Sequence, residues 1–172
     1  MTRLPLITEE QVLPNGVSAY QTVAGSESGL SITFRALFNN PKIASHLAGL
    51  DALVCDAAEL ETWVRLTVAL TVSKELGNQA LWEAFEPQAR EAGIRDAVID
   101  AISAGTAPRR LLPKEGIWTQ FAIEVLRNQV RDSTWQAVTH LLGDSGAVIL
   151  ASAVCYYEMM ARLNQALALD LS

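Results

Sequence analysis

Apolar residues recur along this chain at three- and four-residue intervals, and strand-like alternation is absent. The pattern predicts helix almost throughout. Thr8 and Gln11 fit a capping box, which Pro14 interrupts, and "NGVSAYQTVA" resumes helix to about Ala24. "GSESGLS" reads as a connector by its Gly/Ser content. Asn40 and Pro41 then open a helix as N-cap and first helical residue, with Ile43, Leu47, Leu50 and Val54 at helical spacing. A long helix from about Glu59 to Leu76 is closed by Gly77, and Asn78 caps its successor. That successor carries Pro87 as an expected kink and ends at Gly93. "RDAVIDAISAG" is a short helix closed by Gly105, and "APRRLLP" is a loop. "KEGIWTQFAIEVLRNQ" is amphipathic, with Ile117, Phe121 and Val125 on one face. Ser133 and Gln136 form a capping box for "TWQAVTHLL", and Asp144 caps a last helix running to about Leu169. The fold class is therefore all-α, a helical bundle.

The 172 residues fit a single domain, with residues 1–31 as an N-terminal arm and connector and residues 32–172 as the helical core. Half the residues are hydrophobic and only 19% are charged, which points to a buried subunit interface and a homo-oligomer. The formal net charge of −6, without a Lys/Arg cluster, argues against nucleic-acid binding. The most apolar stretch, "GAVILASAVCYYEMMARL", carries Glu158 and Arg162 and falls short of the roughly 20 apolar residues of a membrane span. It reads as a buried or interface helix, with no membrane partner. The first residues lack an apolar core of the signal-peptide type. Cys55 and Cys155 form no CxxC, so a reducing cytoplasm is the expected compartment.

The stretch "KELGNQALWEAFEPQAREAG", Lys74 to Gly93, has the form of a helix break at which side chains converge. Together with "FRALFNNPKIASHLAGLDALV", "LTVALTVSKELG", "EPQAREAGI" and "RLNQALALDL", it resembles the carboxymuconolactone decarboxylase and alkylhydroperoxidase D group. The resemblance covers nearly the whole chain and implies the fold of that group and a homo-oligomer. Redox members carry E-x11-C-x2-C-x3-H. Counted onto this chain, the glutamate falls on Leu66, the cysteines on Asn78 and Leu81, and the histidine on Phe85. An arginine of the preceding helix falls on Cys55. A thiol peroxidase needs a low-pKa thiolate, a resolving thiol and a proton relay, and these replacements supply none of them.

The pocket candidates are Leu66, Asn78, Leu81, Trp82, Phe85, Cys55 and Tyr156. The apolar ones line a small pocket or plug the old catalytic cavity, and both readings fit their spacing. Asn78 caps a helix or orients a polar ligand group, and Cys55 is an inert thiol or a polar pocket residue. Cys155 is expected in the core, and Tyr156 and Tyr157 on different faces of their helix. Glu158 and Arg162 have the spacing of a helical ion pair. Glu75 and Glu83, the acids near the break, are expected in solvent. His46, His140 and the two cysteines lack metal-ligand spacing, and no cofactor is implied. The expected function is binding of a small, partly apolar or lactone-like molecule. If the protein is an enzyme, a cofactor-independent lyase, isomerase or cyclase fits. A scaffold or regulatory subunit partnering a paralogue is the alternative, and a peroxidase using Cys55 the third.

Overall fold

The computed structural model describes residues 2–25 and 31–169. Among them are eight α-helices, two short 3-10 turns and no strand. The helices are α1 (Val17–Ala24), α2 (Ile32–Leu37), α3 (Pro41–Cys55), α4 (Thr62–Glu75), α5 (Gln79–Glu91), α6 (Asp96–Ser103), α7 (Pro113–Leu126) and α8 (Asp132–Ala166). Most of the expected "GSESGLS" connector lies outside the described residues. The chain divides into two compact units, one formed by Met1–Asp56 with Arg162–Ser172 and the other by Ala57–Ala161.

In the first unit the helix starts follow the residue chemistry. The Thr8 N–H donates to Gln11 Oε1 at 3.1 Å, and the Asn40 side chain accepts from the Ile43 N–H at 3.3 Å. Phe34 and Phe38 are buried, and the Tyr20 and Phe38 rings lie 4.9 Å apart. Arg3 Nη1 donates to the Ala166 carbonyl at 2.8 Å, and Thr33 hydrogen-bonds Asn164, so the chain end is tied to α2. Of the expected α3 stripe, Val54 is buried, Leu47 and Leu50 are partly buried and Ile43 is 50% exposed, and Ala44, Ala48 and Asp51 complete the buried face. Small residues let the α3 backbone approach its neighbours, and the larger apolar side chains fall to the rim.

The second unit is built round α4. Ten successive residues, Val64 to Ser73, are buried. A helix hidden on every side needs its polar members satisfied internally. Thr67, Thr71 and Ser73 do this by donating to the carbonyls one turn back, each at 2.7 Å. Gly77 ends α4 in the left-handed region at φ +63, where a side chain would be strained. The chain then reverses into α5, and Asn78 caps it by accepting from the Leu81 N–H at 3.0 Å. Leu66, Leu70, Ala89, Ile94, Val98, Ile99 and Ile102 form the core between α4, α5 and α6.

Helices α4 and α7 lie side by side in the same direction. Trp63 and Trp118, near their starts, meet with ring centroids 6.2 Å apart, while Glu75 and Arg127, at their ends, are 3.3 Å apart. On α7 the buried large or apolar side chains are Trp118, Phe121 and Ala122, with Thr119 buried beside them and Ile117 and Val125 only partly buried.

The stretch Asp132–Ala166 breaks at Gly143, whose φ 70 and ψ 175 are far from helical. The expected boundary before Asp144 is therefore present. By length and composition alone this stretch is apolar enough to cross a membrane, with a mean hydropathy of 1.5. Cys155, expected in the core, is exposed, because Ala153, Val154, Tyr156 and Tyr157 take the inward positions around it. Tyr156 and Tyr157, expected on different faces, are both buried, with centroids 5.4 Å apart.

Gly16 is the tightest joint of the first unit that the hydrophobic pattern does not reveal. A Cβ there would stand 2.8 Å from the Pro41 Cβ, and the proline ring opening α3 cannot rotate away. Gly16→Ala should cost about 1–3 kcal/mol, read as a lowered urea midpoint at unchanged slope. An unaltered midpoint would show that this joint is slack.

Candidate functional site

The helix break singled out by the sequence is a packed aromatic cluster. Leu66 is 1% exposed and lies in the core against which Trp82 and Phe85 pack. Phe85 meets Tyr157 edge-on at 5.2 Å, and Tyr157 in turn meets Tyr156. Leu81 and Asn78 are buried, and Asn78 Nδ2 also donates to the Ala161 carbonyl at 3.1 Å. Trp82 Nε1 donates to Glu86 Oε2 at 2.9 Å. Glu75 and Glu83 are exposed, the latter accepting from Gln79 Nε2. Cys55 belongs to the first unit, at the end of α3, where its Sγ donates to Asp51 Oδ1 at 3.8 Å. The structure thus brings together Leu66, Trp82, Phe85 and, through Tyr157, Tyr156. It also adds Arg65, a buried guanidinium whose Nη1 donates to Tyr157 Oη at 3.1 Å. Its signal in the sequence was a lone arginine inside the apolar run "TWVRLTVAL".

A cavity of ≈ 460 Å³ lies at the other end of α5, inside the second unit. That volume falls within the roughly 300–1,000 Å³ of small-molecule sites. Trp63 and Thr67 of α4 form one wall. Ala92, Gly93 and Ile94 of the α5–α6 turn, with Val98 of α6, form another. Arg95, Leu112, Lys114 and Glu115 complete the lining. None of the expected pocket residues is among these. The turn follows from Gly93, whose φ of +79 ends α5, while the N–H groups of Ala92, Gly93 and Ile94 take up the carbonyls of Gln88, Arg90 and Ala89.

Three helices begin at this cavity. Trp63 is in the first turn of α4, Arg95 precedes α6, and Leu112, Lys114 and Glu115 span the start of α7. At none of the three does the residue before the helix cap it with its own side chain, whereas Ser31, Asn40 and Asn78 cap α2, α3 and α5. Arg95 and Glu115 meet through two parallel bonds, Nε to Oε1 at 2.8 Å and Nη2 to Oε2 at 2.7 Å. The Arg95 hydrogen bonds hold the Glu115 carboxyl below the usual carboxylate range, against the opposing effect of burial, and the Leu112 N–H adds a third bond. Beside Trp63, Trp118 Nε1 is buried with no hydrogen-bond partner.

The same three helices end at a second cavity, of ≈ 680 Å³, lined by Glu75, Gly105, Arg109, Arg110, Gln120 and Arg127 among others. Arg109, Arg110 and Arg127 lie near the ends of α4, α6 and α7, where positive charge is favoured. Among the described residues no group of three or more His, Cys, Asp or Glu is placed to hold a metal ion. No protein-family model matches the chain, and no curated protein matches it.

The Arg95–Glu115 pair has a definite pH signature. The folded pKa of Glu115 is depressed, so its contribution is complete above the unfolded value of roughly 4.3 and is lost as pH falls through the lower folded value. Arg95→Gln should therefore be less stable than the wild type at neutral pH. The gap should close as urea midpoints are followed below about pH 4. A gap that stays constant into strong acid would refute this assignment.

Proposed function

We propose that this chain is a redox-inactive binding protein for a small, partly apolar molecule, of the carboxymuconolactone decarboxylase-like type. The observation that carries the binding reading is the cavity beside Trp63, which joins an apolar wall to a polar, charged mouth. The family reading rests on the sequence resemblance and on the all-helical architecture. The packing of Phe85 on Tyr157 fits the loss of peroxidase groups at the helix break, since the space between α5 and α8 holds rings. A cofactor-independent lyase or isomerase reaction is compatible with the cavity, because its walls can hold a reactive substrate in one geometry.

The test is a thermal-shift panel of small aromatic and lactone-like acids. A ligand at about 100 times its Kd should raise the midpoint by about 5–10 °C. Ala92→Phe, which places a ring in the cavity, should abolish the rise while the protein stays folded. A midpoint that responds equally in both proteins would place the ligand elsewhere and end this reading.

A second reading, a scaffold subunit, is favoured by one surface. Trp135, Leu141 and Val148 of α8 are 39%, 54% and 59% exposed, and Cys155 adds to the exposed positions of the same helix. Large apolar side chains left exposed along one helix are candidates for cover by a partner. We expect multi-angle light scattering at micromolar concentration to return at least twice the 18.6 kDa of one chain. Val148→Glu should shift that mass downward. A monomer in the wild type would remove the interface.

A further inference from the structure

We infer that the molecule bound beside Trp63 is uncharged and flat, a neutral aromatic rather than an acid or an amine. This rests on the binding reading above and narrows its ligand: the acids of the thermal-shift panel should bind more weakly than their neutral counterparts. The charges around the cavity cancel. Arg95, Lys114 and Glu115 line it, and Glu61 accepts from the indole N–H of the lining Trp63 at 2.9 Å. Two cations thus stand against two carboxylates. The next charges, Glu86, Arg90 and Asp96, are paired among themselves. Acids also stand where the three helices begin, so their partial positive charge is answered. Asp96 and Glu115 are in the first turns of α6 and α7, and Glu61 immediately precedes α4.

The hydrogen-bonding groups of the lining are engaged too. Arg95 gives Nε and Nη2 to Glu115 at 2.8 and 2.7 Å, which occupies both carboxylate oxygens. The Thr67 hydroxyl donates to the Trp63 carbonyl at 2.7 Å. The Gly93 and Ile94 N–H groups are taken up by the carbonyls of Arg90 and Ala89, and those of Val98 and Glu115 by the carbonyls of Arg95 and Leu112. Lys114 is the exception, with no hydrogen bond or ion pair among the described residues. It is exposed, so its ammonium keeps its water, and its charge already acts on Glu115, whose carboxyl it helps to hold below the usual range.

An ionic head group entering this cavity would lose hydration and meet paired charges and engaged donors in exchange. An apolar ring gives up nothing by the same step. Trp63, Ala92, Ile94, Val98 and Leu112 supply carbon surface. The Trp63 indole is pinned through its N–H to Glu61, so it offers the cavity a ring and no free donor. The volume of ≈ 460 Å³ has room for a fused two-ring body.

The experiment is calorimetric titration of the whole chain with three probes of one shape and different charge: 2-naphthamide, 2-naphthoate and 2-naphthylmethylammonium. The proteins are wild type, Glu61→Gln, Lys114→Gln and Ala92→Phe. We expect the neutral amide to bind about fivefold or more tightly than either ion. Glu61→Gln keeps an acceptor for Trp63 but removes a negative charge, so naphthoate should gain about threefold on the amide. Lys114→Gln should favour the ammonium probe by about the same factor. Glu61 and Lys114 are exposed, so both replacements should leave folding intact, as circular dichroism would verify. Ala92→Phe should remove all binding. An ion that binds the wild type as tightly as the amide or more so, and loses its binding in Ala92→Phe, would overturn the neutral-ligand inference and keep the cavity as a site. Ions indifferent to Glu61→Gln and Lys114→Gln would overturn the charge balance on which that inference rests. Amide binding that persists in Ala92→Phe, or no binding of any probe by heat or by tryptophan emission, would overturn the inference and the binding reading together.

Discussion

The common direction of α4, α6 and α7 is the constraint on which the second unit depends. Helices laid side by side in one direction set like partial charges next to each other at both ends, which is unfavourable unless answered. The answers are visible in the charged residues. Glu115 and Asp96 stand in the first turns of α7 and α6, and Arg109, Arg110 and Arg127 gather where the helices finish. Helix α5 runs back between these ends and delivers the turn at Gly93 to the start of its neighbours. The buried hydroxyls of α4 allow this arrangement, since each is satisfied within its own helix and asks nothing of the surrounding core.

Much of the local structure was legible in the sequence because it is governed by single residues. Gly77, Gly93 and Gly105 each close a helix with positive φ, and Asn40 and Asn78 each cap the next one. The break before Asp144 followed from the same signals. Which face of a helix goes inward was harder. On α3 the large aliphatic residues were the obvious stripe, but close approach favoured Ala44 and Ala48. On α8 nearly every position is apolar, so spacing alone could not say that Cys155 faces out while Tyr156 and Tyr157 both face in.

The cavity was illegible for a different reason. Its lining comes from three separated segments around Trp63, Ile94 and Lys114, and no local motif connects them. The helix break drew attention because its residues are contiguous and its spacing resembles a known catalytic pattern. In the folded chain those residues make rings stacked edge to face, while open space lies one helix length away. The retrievable clue was the absence of caps. Glu61, Arg95 and Leu112 precede helices without a side-chain bond to a backbone N–H of the first turn, unlike Ser31, Asn40 and Asn78.

The edge-on pair of Trp63 and Trp118 carries an optical consequence. Two indoles 6.2 Å apart are close enough for their strong transitions to couple, so far-ultraviolet circular dichroism should carry a paired band of opposite signs. Trp118 is sealed from water and Trp63 is partly exposed, so the two should emit at different wavelengths. Trp63 lines the cavity and Trp118 does not, so a molecule that enters would change the surroundings of one partner of the pair. The pair is therefore a built-in optical probe of the cavity that needs no label.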